Sequence, residues 1–197
     1  MPGNKPNYSR IDVLRTFLLI RGNKSRLELV KKLDLGEGTI RSILDLIKNK
    51  MLIVSTNKGH FLTKKGFNLI KNINSLIEIK DIEFSEIYPE TAKSLVLVKT
   101  KEKKAISVEF RDTAVREGAD GAIIAQFNKN IVIPCPDIDF KKTYPNDYRK
   151  IMLSLKPEKG NILIICFANE KSNAEKGALV ISLKISKELN NILNMIC

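Results

Sequence analysis

Ser25-Arg26-Leu27-Glu28, Asp34-Leu35-Gly36 and Ile40-Arg41-Ser42-Ile43-Leu44-Asp45-Leu46-Ile47 follow one another in a single stretch, and their order decides how this chain folds. Ser25 and Glu28 have the spacing of a capping box, in which the serine accepts a backbone N–H and the glutamate bonds back to the cap. The helix they open carries Leu27, Val30 and Leu33 on one face, and Asp34-Leu35-Gly36 turns the chain. Ile40, Ile43, Leu44 and Ile47 then fall at i, i+3, i+4 and i+7, the spacing of one apolar stripe. Met51 to Ser55 and His60 to Leu62 read as two strands joined by Thr56-Asn57-Lys58-Gly59, a turn whose Asn and Gly tolerate positive φ. Thr63 caps a last helix through Ile70, returning Leu69 and Ile70 to the core. Upstream, Ile11, Val13, Leu14, Phe17, Leu18 and Ile20 predict a helix over Arg10 to Arg21, closed by Gly22.

At 100° per residue, the face opposite the apolar stripe presents Gly38, Arg41, Ser42, Asp45 and Asn49, with Thr39 and Lys48 on the flanks. Charge follows the same segment. Residues 1–78 hold 15 Lys and Arg against 6 Asp and Glu, a balance of +9 within a total of +12. Cations concentrated in this way suit phosphate binding, because they displace counterions condensed on nucleic acid.

Residues 10–75 resemble the winged helix-turn-helix domains of prokaryotic transcription regulators. The phrase Leu62-Thr63-Lys64-Lys65-Gly66 is similar to the Leu-Thr-x-x-Gly signature of the multiple-antibiotic-resistance and phenolic-acid repressor families. The whole chain resembles an uncharacterised archaeal family that joins such a domain to a C-terminal domain of unknown function, a likeness carried by Arg111 to Ala122. In such a fold the second helix of the motif lies in the major groove. Arg41 matches guanine O6 and N7 bidentately. Thr39 and Ser42 suit bases or phosphate, and Gly38 permits close backbone approach. Asp45 either accepts from cytosine or repels phosphate. Lys48 and Asn49 extend the face, and Asn57 and Lys58 at the hairpin tip suit phosphate or the minor groove. His60 reads as a hairpin side chain rather than a ligand.

Elsewhere the sequence mostly excludes. Its 43% apolar content is ordinary for a globular protein, and no apolar run is long enough for a membrane span. Cys135, Cys166 and Cys197 lack paired spacing, so a reducing, cytoplasmic setting is expected, without a disulfide framework or zinc ribbon. A single histidine argues against histidine metal clusters and against Ser-His-Asp or Cys-His catalysis. Neither a P-loop nor a G-x-G-x-x-G motif is present. No cofactor, metal or catalytic residue is expected.

Beyond residue 76, apolar runs predict strands at Ile77–Phe84, Leu95–Val98, Ile106–Phe110, Ala122–Ala125, Ile131–Ile133 and Asn161–Phe167. Lys101-Glu102-Lys103-Lys104 reads as a turn. Helices are expected at Arg111–Gly118, at Asp147–Leu155 and from a Ser172–Glu175 capping box through Leu193. The fold class is therefore α+β, with an N-terminal winged helix-turn-helix over 1–76 and a mixed α/β domain over 77–197, in which a mixed sheet with helices packed on it is expected. Three places in it are candidates for chemistry. Asn169 and Ser172 lie where a buried strand meets a helix N-terminus, a geometry suited to anions but equally to an ordinary cap. Arg111, Asp112 and Arg116 suit a pocket for an acidic metabolite, or a solvated helix face. Cys135-Pro136-Asp137-Ile138-Asp139 gathers a thiol and two carboxylates but reads first as a turn.

The expected function is sequence-specific binding of double-stranded DNA by a transcription regulator rather than an enzyme. It would act as a homodimer, with 77–197 binding a small-molecule effector or mediating dimerisation. The alternatives are a protein-protein adaptor of the transcription machinery and a nucleic-acid-processing enzyme targeted by the winged helix.

Overall fold

Helix α1 (Arg10–Ile20) starts at Ser9, whose hydroxyl accepts the Asp12 N–H while the Asp12 carboxylate accepts the Ser9 N–H at 2.9 Å. This computed structural model describes residues 7–100, 106–134 and 137–197. Helix α2 (Arg26–Leu33) opens with the expected box, Glu28 accepting the Ser25 N–H at 2.9 Å. It closes at Asp34 in the left-handed conformation, φ 56°. Helix α3 (Glu37–Asn49) buries Ile40, Ile43, Leu44 and Ile47. Each such side chain contributes about 1.5–3 kcal/mol of burial. Strands β1 (Ile53–Thr56) and β2 (Gly59–Leu62) pair antiparallel, leaving only Asn57 and Lys58 in the loop. Gly59 stands at φ +121°, a conformation side-chain-bearing residues rarely adopt.

The phrase Leu62-Thr63-Lys64-Lys65-Gly66 has a packing role. Thr63 Oγ1 accepts the Gly66 N–H at 3.1 Å and donates to the Met51 carbonyl at 2.8 Å. Helix α4 (Lys64–Leu76) thereby begins against the start of the hairpin. A Cβ on Gly66 would stand 2.1 Å from the Leu52 carbonyl oxygen, so only glycine lets α4 lie this close.

The chain divides into two compact units, Met1–Ile73 with Asn190–Cys197, and Asn74–Leu189. The second holds a six-stranded sheet of β3 (Ile77–Lys80), β4 (Ala92–Val98), β5 (Gly121–Asn128), β6 (Asn130–Pro134), β7 (Asp137–Asp139) and β8 (Ile162–Ala168). Their order is β3-β4-β8-β5-β6-β7, and every pair is antiparallel. Alternation along the strands supplies both faces. Leu95, Leu97, Leu163 and Ile165 join a core with Phe140 of α6 (Phe140–Thr143) and with Ile151 and Leu155 of α7 (Pro145–Leu155). Cys166, of the opposite parity, meets α8 (Lys171–Ile185) at Gly177, beside Ala114 of α5 (Val108–Arg116). The sheet is thus covered on both faces.

One buried carboxylate organises the irregular segment between β3 and β4. Asp147, with no solvent exposure, accepts the N–H groups of Ser85 (2.8 Å), Glu86 (2.9 Å) and Ile87 (2.9 Å). The Glu86 carboxylate in return accepts the Asn146 and Asp147 N–H groups at the start of α7. Burial works to raise the Asp147 pKa, but the three backbone donors and the Ser85 hydroxyl outweigh it and hold the carboxyl below its ordinary range.

Several expectations are corrected. Leu27 is 79% exposed, and α2 buries Leu29 in its place beside the expected Leu33. The helix after the hairpin runs to Leu76 rather than Ile70. Ile106 to Phe110 is not a strand, because Ser107 accepts the Glu109 N–H and starts α5 at Val108. The turn expected at 101–104 lies outside the described residues, as do Cys135 and Pro136. Asp137 to Asp139 is strand β7 rather than a turn, and Asp139 caps α6 through the Lys141 and Lys142 N–H groups. The sheet is antiparallel throughout, not mixed.

The final helix is two. α8 is capped at Glu170 without a side-chain bond, so Ser172 is not its cap. Ser186 breaks it, accepting the Leu189 N–H at the start of α9 (Lys187–Ile196). The last eight residues, expected within the second module, cluster with the first, where Ile192, Leu193 and Ile196 are buried. Arg10 bonds Asn194 within that unit.

Two predictions follow from this packing. Gly66→Ala should cost about 3 kcal/mol in denaturant unfolding, because backbone rather than a flexible side chain opposes the new methyl. A loss below about 0.5 kcal/mol would show that α4 moves away freely. Asp147→Asn should also cost about 3 kcal/mol at neutral pH, since an amide meets N–H donors. A carboxylate whose pKa is depressed by folding stabilises above its unfolded value, near 3.9, and loses that contribution as pH falls through the folded one. The stability gap to wild type should therefore shrink below about pH 4, and a gap independent of pH would contradict the ionised network.

Candidate nucleic-acid interface

The stripe that buries one face of α3 leaves the other outward. Gly38, Arg41, Ser42, Asp45, Lys48 and Asn49 are exposed and Thr39 is half-buried. Gly36 caps the helix without a side-chain bond, leaving first-turn N–H groups without a side-chain partner there. No atom lies within 4 Å of where a Gly38 Cβ would be, so that surface is open. Ser42 Oγ donates to the Gly38 carbonyl at 3.1 Å. The Arg41 side chain, 62% exposed, lies 3.9 Å from Glu37, which also pairs with Arg26 at 3.3 Å. Exposed pairs of this kind contribute little and leave the guanidinium available.

The hairpin is fixed beside this surface. Asn57 and Lys58 are exposed at its tip, where Thr56 Oγ1 accepts the Lys58 N–H at 3.1 Å and donates to the Gly59 carbonyl at 3.3 Å. One pair from the turn, the His60 N–H donates to the Lys24 carbonyl at 3.0 Å, adding a single antiparallel bridge as a third strand position. Sequence offered no signal for this bridge, since Lys24 lies in no apolar pattern. Glu28 is held at about 2, first by the Ser25 backbone N–H, then by its hydroxyl and Lys24.

His60 is 8% exposed, with Nδ1 2.9 Å from Ser55 Oγ. Burial lowers its pKa first, and the positive charges of Arg26 and Lys48 lower it further. The imidazole therefore marks where cations of α2 and α3 converge on the hairpin. Because His60 is the only histidine, its ring signal is unambiguous in a proton NMR titration. Its midpoint should fall below about 6.5, and Lys48→Ala should move it upward. An unchanged midpoint in that variant would place Lys48 away from the hairpin.

The five residues proposed for an effector are not brought together. Arg111 of α5 borders a cleft of about 280 Å³ within the second unit, with Tyr88, Ile123, Ile133 and Tyr144 among its walls. Asp112 and Arg116 are exposed outside that lining, and Asn169 and Ser172 do not reach it either. Near them Lys171 Nζ donates to Asp81 and to the Lys93 carbonyl, both at 2.6 Å. Sequence missed the cleft because its walls come from five separated segments. Cys166 is fully buried, and burial pushes its thiol up to about 12, far from thiolate reactivity. Among the described residues no three His, Cys, Asp or Glu side chains form a group able to hold a metal ion, and no helix is long and apolar enough to cross a membrane.

Residues 11–68 match the family model described as PH0730-like, N-terminal domain, and residues 90–185 match a domain of unknown function, DUF4443. No curated protein matches the chain. Among solved structures, the one titled hypothetical protein PH0730 from Pyrococcus horikoshii OT3 is similar at 28% identity, with a TM-score of 0.83. The likeness covers 97% of this chain and 100% of that one. The chain therefore pairs a PH0730-like N-terminal region with a region similar to a domain of unknown function, and resembles the Pyrococcus protein almost from end to end.

Proposed function

We propose that residues 1–76 bind double-stranded DNA and that the chain is a sequence-specific transcription regulator. One observation carries this reading: α3 spends its apolar stripe on the core and keeps Arg41, Ser42, Lys48 and Asn49 exposed, on the same unit as a hairpin tipped by Lys58. A helix with one face wholly committed and the other polar, cationic and open has the make-up of a major-groove reader. The roles divide by chemistry. Arg41 reads guanine edges, Thr39, Ser42 and Asn49 bond bases or phosphate, and Lys48, Asn57 and Lys58 hold the backbone. Asp45, exposed beside them, disfavours phosphate at its own position and selects cytosine where it meets a base.

The functional species in this reading is a homodimer, because one winged helix covers too few base pairs to define a unique site. Residues 77–197 serve as its effector-binding or dimerisation module, and the protein is not an enzyme.

Selection of bound duplexes from a random library, followed by titration on the preferred site, tests this reading. Arg41→Ala should lose about 1–3 kcal/mol on that site and relax preference at one base pair. Lys58→Ala should weaken all duplexes alike and reduce the salt slope by about one. Absence of duplex binding in dilute buffer, or unchanged affinity in Arg41→Ala, would remove α3 from the role.

A further inference from the structure

The sheet of the second unit comes apart between β5 and β6. The two pair only over Gln126–Asn128 and Asn130–Val132, although β5 begins at Gly121 and β6 continues to Pro134. The direction of the vacant edge can be worked out. The Phe127 N–H donates to the Asn161 carbonyl at 2.9 Å, which makes Phe127 a hydrogen-bonded position against β8. Antiparallel pairing alternates, so Gly121, Ile123 and Ala125 also bond toward β8. Ala122 and Ile124 then direct their main-chain N–H and C=O groups the other way, where no described strand pairs with them. Both residues line the cleft of about 280 Å³.

The surroundings of this edge are apolar. Ile106 and Val108 approach from the start of α5, and Ile133, Pro134, Ile138 and Tyr144 from the opposite side. Tyr88 and Phe167 stack at 4.0 Å as a further wall. Main-chain polar groups facing apolar walls without partners cost free energy, and a ligand that pairs with them recovers it. Among the described residues Arg111 is the one charged residue of the lining, and no carboxylate is within ion-pair distance of its guanidinium. The wall also stores strain. Tyr88 sits at φ 42°, unusual for an aromatic residue. Its carbonyl accepts both the Thr91 N–H and Thr91 Oγ1, and the preceding Ser85–Ile87 amides are gripped by Asp147. Strain that is held in place from both sides is a mark of functional walls.

From this arrangement we infer that the cleft binds a small monocarboxylate with a branched aliphatic or aromatic body. Its carboxylate pairs with Arg111, its body fills the gap between β5 and β6, and any polar group next to the carboxylate meets the Ala122 and Ile124 main chain. A single cation suits one carboxylate rather than a phosphate-rich ligand, and the volume lies at the small end for metabolite sites. This identification rests on the reading of residues 77–197 as an effector module, and supplies its ligand class.

The test uses the full chain without DNA, with isovalerate, phenylacetate and 3-phenylpropionate as probes and their amides as uncharged controls. Calorimetry and amide NMR should show the carboxylates binding, with shifts centred on Ala122 and Ile124. The matched amides should bind on the order of tenfold more weakly. Arg111→Gln, at an exposed position, should abolish that preference. Val108→Trp, also exposed, should block both carboxylates and amides. No binding by any probe at millimolar concentration, or a carboxylate preference that survives Arg111→Gln, overturns the proposal. Duplex binding measured separately keeps the two readings apart. Probe binding without duplex binding supports the cleft and removes the regulator, whereas duplex binding without probe binding removes the cleft alone.

Discussion

The contact between Gly66 and the Leu52 carbonyl fixes the geometry on which the N-terminal unit depends. Leu52 is bonded in both directions: its N–H donates to Ile47 at the end of α3, and its carbonyl accepts the Thr63 N–H at the start of α4. The hairpin is therefore a closed loop whose two ends meet at one residue, directly after the exposed helix. Thr63 closes it a second time through the Met51 carbonyl, and the Lys24–His60 bridge holds its outer strand against the entry to α2. The tip carrying Asn57 and Lys58 is thus set relative to α3 by main-chain bonds, without relying on long side chains. A side chain on Gly66 would push apart the point where these constraints converge.

What could be read in the sequence was local. The Ser25–Glu28 box, the four-residue stripe of α3 and the turn at Asn57 each depend on residues within one or two turns of each other, and each stands as expected. The α+β class was legible for the same reason. Failures came where a local signal met a stronger neighbour. Leu27 looked like core because it shares spacing with Val30, yet Leu29 and Leu33 sit 400° apart at the helical period and take the buried face. Ile106, Val108 and Phe110 alternate like a strand, but Ser107 supplies an N-cap and the run becomes helix. Asp147 and Glu86 exchange caps across some sixty positions of sequence, a relation no spacing rule exposes. The candidate surface on α3 was legible because one helix carries it; the cleft was not, because its parts meet only through the sheet.

Charge needs the same distinction between composition and placement. Arg15 counts toward the basic balance of residues 1–78, yet it is 3% exposed, paired with Asp12 and donating to the Leu33 carbonyl at 3.3 Å. It ties α1 to the end of α2 and offers nothing to a phosphate. Arg41 differs: its partner Glu37 is itself exposed and shared with Arg26. Water screens that pair, so replacing it by a more strongly bonded anion costs little. A polyanion partner would therefore be held by the few cations whose positions leave them uncommitted, and not by the net charge of +12.

The second unit shows how a sheet can hold an opening without losing its core. β4, β8 and the outer part of β5 are paired along their lengths, with Val96, Ile164 and Ile165 fully buried. The cost of parting β5 from β6 is confined to the Ala122 and Ile124 main chain. It is limited further because Pro134, the β6 residue that would come opposite Ile124 if the register continued, has no N–H to leave unpaired; the other edge of β6 is paired by β7 over Val132–Pro134. Asp139, ending β7, then caps α6, whose Phe140 ring packs 5.2 Å from Tyr144 on the cleft wall. Across the opening, Asp147 secures the segment that leads into Tyr88. Both sides of the gap are therefore braced by buried groups that do not themselves line it, so the opening persists while its polar edge is paired by no described strand. A mere defect would close by continuing the same register, Ile133 onto Ala125 and Pro134 onto Ile124; the bracing from Phe140 and Asp147 opposes that closure, and this is the physical reason to read the gap as a site rather than as imperfect pairing.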